Sequence, residues 1–258
     1  MIPTLRVSHL INKNNYLEIP GVEALEYTEV RPLFKNGKKR LFHSGYGIVQ
    51  REFLGYFDSI IDFLNGNNFD LFSFDLGPAS EEVEYVDFSY RPVSKVLKRA
   101  ELRNIFKERL RFVKNLFKGT VALENLNYFH SPAYSTVCES GFIKETIEEN
   151  NVFFVLDIAH AVISAENLGM DVIMYLSSLP LHKVIGIHLS RPGTVEGEWR
   201  DLHGNPGEEE YKLLRFVLTR TAIRPFIVLE YDNSLFEIIE AYKKIKILID
   251  SEYGRLQV

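Results

Sequence analysis

The sequence predicts a (β/α)₈ barrel, in which eight parallel strands alternate with helices. Eight short apolar, β-prone runs are spread from one end of the 258-residue chain to the other. Several of these runs are apolar at consecutive positions, which is typical of parallel strands buried on both faces. The length suits one large barrel, and no linker rich in Gly, Pro or Ser divides the chain. We therefore expect a single barrel domain over residues 1–258.

The eight predicted strands alternate with amphipathic stretches along the whole chain. In chain order they are Leu5–His9, Val22–Tyr27, Arg40–Ser44, Leu71–Leu76, Thr120–Leu126, Val152–Ile158, Val184–Leu189 and Phe226–Tyr231. A doubly wound open sheet fits the same alternation and is the alternative architecture, but the count of eight units favours the closed barrel.

Three stretches carry apolar residues at three- and four-residue spacing, which predicts amphipathic helices. The first begins after Val49, the second runs from Val96 to Leu116, and the third follows Leu235. Gly119 is a plausible stop for the second helix. Nine basic residues are interleaved with that helix between residues 95 and 118, and they are most simply its solvated face.

Composition and charge exclude several classes of protein. The chain has 30 Lys and Arg against 35 Asp and Glu, a net charge of −5, and 46% apolar residues, which is typical of a globular protein. Its apolar runs are too short for a membrane span, and the N-terminal residues lack a signal-peptide pattern. Cys138 is the single cysteine, so an intrachain disulfide is impossible. These features predict a cytoplasmic protein with no membrane partner, and the acidity disfavours a nucleic-acid partner.

Histidine and acidic side chains stand at or just beyond the C-terminal ends of six predicted strands, where a barrel carries its active site. The nine candidate metal ligands are His43, Asp75, Glu124, Asp157, His160, His188, Asp201, His203 and Glu230. We expect Asp201 and His203 to lie in a long loop that follows His188 and overhangs the site. Any one of these side chains alone would most simply be a hydrogen-bonded rim residue or a loop cap.

The charge of the whole set points to metal ions. Five of the nine candidates are carboxylates, and two carboxylates about 4 Å apart repel by about 4 kcal/mol at an effective dielectric constant of about 20. Their convergence therefore requires protons or cations. Two or three divalent ions would balance the charge and leave four neutral imidazoles as further ligands. Mixed imidazole and carboxylate ligands suit iron, zinc or manganese.

The order and spacing of these residues resemble known metal-dependent TIM barrels of the xylose-isomerase-like superfamily. Asp157-Ile-Ala-His160, His188, Asp201-Leu-His203 and Glu230 resemble the trinuclear zinc pattern of the endonuclease IV family in spacing.

A longer stretch resembles the multinuclear non-heme iron-dependent oxidases, whose members include the methanobactin-biosynthesis enzyme. It includes Glu124-Asn125-Leu-Asn-Tyr128, Asn167-Leu-Gly169-Met-Asp171 and Asp201-Leu-His203-Gly, and it covers about residues 120–205. Both families carry a histidine where Asp75 stands, and the oxidases usually carry an asparagine where His160 stands. The chain therefore lies between the two patterns.

The resemblance implies a metal-dependent enzyme with two or three divalent ions, among which iron is favoured over zinc and manganese. In the oxidase interpretation, the ions activate oxygen and the substrate is a peptide or small molecule, in the resembled family a cysteine-containing peptide. A partner protein that presents the peptide is compatible with this interpretation. The expected catalytic residues are Glu124, which would bridge ions, His188, a terminal ligand, and Glu230. The alternatives are an endonuclease IV-like phosphodiester hydrolase and a metal-dependent sugar isomerase or epimerase.

Overall fold

A computed structural model describes residues 1–11, 19, 21–30, 33 and 37–256 of the chain. Its strands are β1 (Ile2–Arg6), β2 (Ala24–Tyr27), β3 (Lys39–Ser44), β4 (Leu71–Asp75), β5 (Val83–Val86), β6 (Ser89–Pro92), β7 (Thr120–Glu124), β8 (Phe153–Asp157), β9 (Val184–Leu189), β10 (Arg191–Val195), β11 (Glu198–Gly204) and β12 (Phe226–Leu229). Its helices are α1 (Phe53–Gly66), α2 (Arg99–Leu116), α3 (Ser140–Glu149), α4 (Ile158–Asn167), α5 (Val172–Ser178), α6 (Glu208–Leu218) and α7 (Leu235–Leu256), with a short 3₁₀ helix at Leu181–Lys183.

Eight strands close into a parallel barrel in the order β1-β12-β9-β8-β7-β4-β3-β2. The first and last of these strands in the chain pair directly, with Thr4 opposite Val228, so the sheet has no open edge. This confirms the predicted (β/α)₈ barrel and excludes the open sheet. Every predicted strand is present. The largest shift is in the first one, which begins at Ile2 because Ile2–Leu5 align with Phe226–Leu229 of β12.

A small apolar cluster fills the barrel below the C-terminal mouth. It consists of one inward-facing residue from each of six strands, namely Ala24, Leu41, Leu71, Ala122, Val155 and Phe226. Side chains alternate along a strand, so the residue two positions further on faces the same lumen, one layer closer to the mouth. In β3, β7 and β8 those residues are His43, Glu124 and Asp157. The apolar cluster is therefore the floor on which the polar site is built.

The outward-facing strand residues pack against the helices in a second, larger core. Phe72 of β4 stacks on Phe57 of α1 with ring centroids 5.6 Å apart, and both side chains are fully buried. The predicted helices are confirmed as α1, α2 and α7, although α1 begins at Phe53 rather than directly after Val49. In α2 four apolar residues are buried, namely Leu102, Phe106, Leu110 and Val113, and most of the interleaved basic side chains face solvent.

Two antiparallel hairpins, β5–β6 and β10–β11, are inserted after barrel strands and were not predicted. The second one corrects an expectation, since Asp201 and His203 lie on strand β11 rather than in a loop. Its strands pair Val195 with Glu198, and the two turn residues between them both have positive φ. Such a two-residue turn suits the Glu196-Gly197 sequence and joins β-prone residues on either side.

No helix among the described residues is long and apolar enough to cross a membrane.

We expect Gly47→Ala to destabilise the fold, because the loops after β3 and β4 touch at this residue. A Cβ atom on Gly47 would lie 1.5 Å from the carbonyl oxygen of Gly77, so the two backbones would have to separate. The expected loss in the free energy of unfolding is about 1–3 kcal/mol. Gly55→Ala is the matched control. Gly55 lies within α1 with open space around it, so its replacement should stabilise by up to about 1 kcal/mol. Urea unfolding measures both changes, and equal stability of the two variants would contradict the expected contact.

Candidate metal centre

Glu124 lies at the centre of the polar cluster at the barrel mouth. It is the last residue of β7, and its side chain is 2% exposed. Its Oε2 atom lies 3.2 Å from Nδ1 of His43 and 3.2 Å from Nδ1 of His188. Its Oε1 atom lies 3.7 Å from Nδ1 of His160. One carboxylate thus faces three of the four candidate imidazoles.

His43 and Asp75 form one side of the cluster. They lie on the neighbouring strands β3 and β4, and Nε2 of His43 is 3.9 Å from Oδ1 of Asp75. The other ring nitrogen, Nδ1, is within hydrogen-bond distance of the Ser73 hydroxyl at 3.1 Å. His43, Asp75 and Glu124 each offer a ligand atom within 4.8 Å of the others.

The spacing of Asp157 and His160 follows from a helix start. β8 ends at Asp157 and α4 begins at the next residue, so Oδ1 of Asp157 accepts a hydrogen bond of 2.6 Å from the backbone N–H of His160. Nδ1 of His160 lies 2.7 Å from the Asn125 carbonyl oxygen, and Nε2 lies 3.3 Å from Oδ2 of Asp201. The side-chain amide of Asn125 pairs with the backbone N–H and C=O of Asp157. Asn125 therefore holds the end of β8 in place.

Asp201, His203 and Glu230 complete the set of nine. Asp201 and His203 are two residues apart on β11 and so share one face of that strand. Nε2 of His203 lies 2.9 Å from Oδ2 of Asp201 and 3.8 Å from Oε2 of Glu230. Oε1 of Glu230 lies 3.4 Å from Nδ1 of His188. The structure therefore brings all nine predicted residues into one cluster.

Two charged residues of the cluster were missed by the sequence analysis. Glu26, at the end of β2, is buried, and its Oε2 lies 3.1 Å from Nε2 of His188. Arg6, at the end of β1, donates from Nη1 to Oε1 of Glu230 at 3.0 Å. In the sequence, each of these two residues is a charged side chain inside a predicted strand, and this could have identified them as candidates. Glu26 stands two residues after Ala24, which is the spacing that places His43, Glu124 and Asp157 in the lumen.

Protons balance the negative charge of the cluster in the absence of metal. Burial raises the pKa of Asp157 to about 8, and burial together with the charge of Glu124 raises the pKa of Asp75. Burial lowers the pKa of His160 and His188, but the surrounding carboxylates outweigh it and hold both well above the usual value. Burial also lowers the pKa of His203, but the hydrogen bond to Asp201 and the charge of Glu230 outweigh it and raise this pKa to about 9.

The orphaned polar atoms of the cluster fit bound cations. Among the described residues, four buried atoms of this cluster lack a hydrogen-bond partner, namely Glu26 Oε1, Glu124 Oε2, Asp157 Oδ2 and His188 Nδ1. Glu124 Oε2 and His188 Nδ1 are 3.2 Å apart without hydrogen-bond geometry. Two ligands of one tetrahedral ion, with bonds of about 2.0–2.1 Å, lie about 3.3 Å from each other. The donor set of carboxylate oxygens and imidazole nitrogens suits iron, zinc and manganese.

A groove of about 450 Å³ lies between the two hairpins. Its lining includes Arg91 of β6, Phe129 and Arg200 of β11. Arg200 precedes Asp201, so β11 presents Arg200 on the face opposite to the candidate ligands. Both arginines are paired with acidic neighbours, Arg91 with Asp87 and Arg200 with Glu198.

Solved structures with the same architecture include a xylose isomerase domain protein and a sugar epimerase. A xylose isomerase domain containing protein of Salmonella typhimurium superposes with a TM-score of 0.65 at 11% identity, covering 95% of this chain and 96% of that one. The 3-keto-D-glucoside 4-epimerase of E. coli gives a TM-score of 0.60 at 14% identity, covering 97% of this chain and 100% of that one. At such low identity the likeness concerns the fold alone. The protein thus has the closed (β/α)₈ fold of these structures.

Sequence comparison places the chain in a family. The model of the family described as RiPP precursor modification enzyme MbnB/TglH/ChrH matches residues 91–249. This is more than half of the chain, which therefore belongs to that family. Seven of the nine candidate ligands lie in the matched segment, whereas His43 and Asp75 precede it.

Curated relatives are also found among UPF0276 proteins. One from Vibrio parahaemolyticus is 30% identical over 114 residues, which are 43% of this chain and 40% of the relative. One from Paraburkholderia phytofirmans is 32% identical over 83 residues, which are 32% of this chain and 27% of the relative. The matched segments therefore span well under half the length of these relatives.

Metal binding is expected to release protons and to strengthen as the pH rises. A histidine ligand must be neutral, whereas the raised pKa values of His160, His188 and His203 keep these imidazoles protonated near neutral pH in the metal-free site. Raising the pH towards the pKa of His203, about 9, should lower the Kd for Zn²⁺ by up to about tenfold per pH unit for each proton released. Calorimetric titrations in two buffers of different ionisation enthalpy count the protons. A Kd that does not change with pH would contradict this account of the site.

Glu124→Gln is expected to remove more than one bound ion while the protein stays folded. Glu124 belongs to two of the three clustered groups, and the neutral amide is a much weaker ligand of nearly the same shape. Loss of one buried negative charge also relieves repulsion in the metal-free protein. Elemental analysis gives the stoichiometry and circular dichroism monitors the fold. Glu149→Gln, on the exposed face of α3, is the control and should bind as much metal as the unchanged protein. Full metal content in Glu124→Gln would show that the ligand set is wrong.

Proposed function

We propose that this protein oxidises a peptide substrate with two or three iron ions held by the nine candidate ligands at the barrel mouth. The observation that carries the proposal is the membership of a family of RiPP precursor modification enzymes combined with a cluster of carboxylates and imidazoles that has unpartnered buried atoms. Bound iron would supply the redox chemistry, with molecular oxygen as the oxidant. A cysteine-containing peptide and a cytoplasmic location remain predictions from the sequence.

The chain's own residues set the positions and charges at such a centre. Glu124 has one oxygen towards His43 and His188 and the other towards His160, which is the placement required of a bridging ligand. Glu230 is kept ionised, because His188, Arg6 and His203 lower its pKa against the effect of burial. Arg6 also fixes one oxygen of Glu230, so this carboxylate can meet an ion only in a restricted orientation.

The groove between the hairpins supports a peptide better than a polyanion. Its two arginines are already paired with Asp87 and Glu198, so it does not offer the unpaired positive charge that a phosphate backbone requires. It presents instead a mixture of serine, asparagine, aromatic and paired charged side chains. Such a surface can hold the residues that flank the reacting part of a peptide.

A phosphodiester hydrolase is the second candidate, and one feature favours it. His160 and His203 both direct Nε2 to the same oxygen of Asp201, at 3.3 and 2.9 Å, which brings together residues whose spacing resembles the trinuclear zinc pattern of the endonuclease IV family. Metal-ion clusters in hydrolases generate hydroxide and stabilise the leaving oxygen. The sugar epimerases share the fold alone, so they provide no comparable support.

Anaerobic purification followed by activity assays should separate these functions. We expect the iron-loaded protein to consume oxygen and change the mass of cysteine-containing peptides in a synthetic library, but not of matched peptides with serine in place of cysteine. The Glu124→Gln variant should lose this activity, and the Glu149→Gln variant should retain it. Zinc-loaded protein that cleaves a DNA duplex with an abasic site, with no oxygen uptake by the iron-loaded form, would reject the oxidase and support the hydrolase.

A further inference from the structure

The two ring nitrogens of His188 have different surroundings. Nδ1 faces the carboxylates of Glu124 and Glu230 at 3.2 and 3.4 Å, yet it forms no hydrogen bond with any described residue. Nε2 points away from that side of the ring and forms a hydrogen bond of 3.1 Å with Oε2 of Glu26. His188 and Glu26 are each 1% exposed, so water does not compete for either group. The Nδ1 atom is therefore the ring nitrogen that remains available to bind a cation when the hydrogen bond at Nε2 is kept.

The contact crosses the barrel. Glu26 belongs to β2 and His188 to β9, and β1 and β12 lie between them in the closed sheet. Burial of a carboxylate is costly unless it is paired and hydrogen-bonded. Glu26 lies in the lumen above Ala24, and the Nε2–H of His188 is the hydrogen-bond donor that the structure provides for it. The imidazole of His188 must therefore keep the orientation in which Nε2 points towards Glu26.

We propose that Glu26 is a positioning residue that holds the proton on Nε2 of His188 and thereby presents Nδ1 as a metal ligand. This inference rests on the metal site of the proposed function and adds a residue outside its nine ligands. A carboxylate that accepts the second N–H of a ligand histidine fixes both the ring orientation and the tautomer, and loss of such a partner typically weakens metal binding 10–100-fold. Two of the three other imidazoles also have one ring nitrogen held, since Nδ1 of His160 contacts the Asn125 carbonyl and Nδ1 of His43 contacts Ser73.

The rival role for Glu26 is direct ligation. Glu26, His188 and Glu230 offer ligand atoms within 4.8 Å of one another, and Oε1 of Glu26 lacks a hydrogen-bond partner among the described residues. In that case an ion would replace the hydrogen bond at Nε2. The two roles make opposite demands on a glutamine. Glutamine keeps an oxygen that accepts the Nε2–H, but its neutral amide is a poor substitute for a ligating carboxylate.

Zn²⁺ titration of the metal-free full-length protein tests the proposal with two variants and a control. Glu26→Ala is expected to keep the number of bound ions while Kd for the ion at His188 rises 10–100-fold. Glu26→Gln should keep the same number with a smaller rise. Glu23→Gln, at an exposed residue directly before the same strand, should bind like the unchanged protein. If Glu26→Gln binds one ion fewer, Glu26 is a ligand and the proposal is overturned.

Nitrogen NMR of the unchanged protein gives a second test that does not depend on a variant folding. In the ¹⁵N-labelled Zn²⁺ form, His188 should carry its proton on Nε2 and show the shift of a metal-bound nitrogen at Nδ1. Glu26→Gln should retain this tautomer. A proton on Nδ1, or a metal-bound Nε2, would overturn the positioning role while leaving the proposed function intact. An unchanged protein that binds neither Zn²⁺ nor Fe²⁺ would instead reject the metal centre itself.

Discussion

Repulsion among carboxylates at the barrel mouth is the constraint on which the site depends. Six acidic side chains meet there, and four of them, Glu26, Glu124, Asp157 and Glu230, are buried. Each such pair within about 4 Å costs several kcal/mol when both groups are ionised. The metal-free protein meets this cost with protons on imidazoles and carboxylates and with the guanidinium of Arg6. Divalent ions can replace those protons at the same positions. The repulsion among the carboxylates therefore determines both the affinity of the site for cations and its effect on stability.

The geometry of parallel strands explains how the chain concentrates these charges without losing its core. The lumen is apolar at the level of Ala24, Leu41 and Ala122 and becomes polar one layer higher. Below that boundary, apolar side chains fill the lumen inside the hydrogen-bonded strands. Above it, polar contacts join neighbouring segments, since Asn125 bonds the backbone of Asp157 and Glu26 bonds the imidazole of His188. The division lets the site vary in charge while the apolar floor keeps the strand ends in position.

The sequence was sufficient for the barrel and for most of the cluster, and the exceptions have physical causes. Buried parallel strands are apolar on both faces, so runs such as Val152–Ile158 stand out, and a polar residue at their end is easily recognised. Glu26 and Arg6 were missed because they lie within short, mixed runs whose neighbours include other charged residues. The hairpin β10–β11 was interpreted as a loop because its pairing is local and its side chains are largely polar. The hairpin depends on pairing between its two strands, and the positions of Glu26 and Arg6 depend on contacts with distant residues. The strand propensity of single residues shows neither.

Asp75 is the position at which the resemblance to other families does not determine which ligand this chain provides. The resemblance implies a histidine at this position, whereas in this chain a carboxylate lies beside His43 and Glu124 at the edge of the same cluster. Burial and the charge of Glu124 raise its pKa, so a proton competes with a metal ion for this carboxylate, whereas a histidine would offer a nitrogen ligand. An ion bound here must displace that proton and accept an oxygen ligand, which favours a harder ion than a nitrogen ligand does. We therefore expect the position of Asp75 to be where the chemistry of this chain differs from that of the families it resembles.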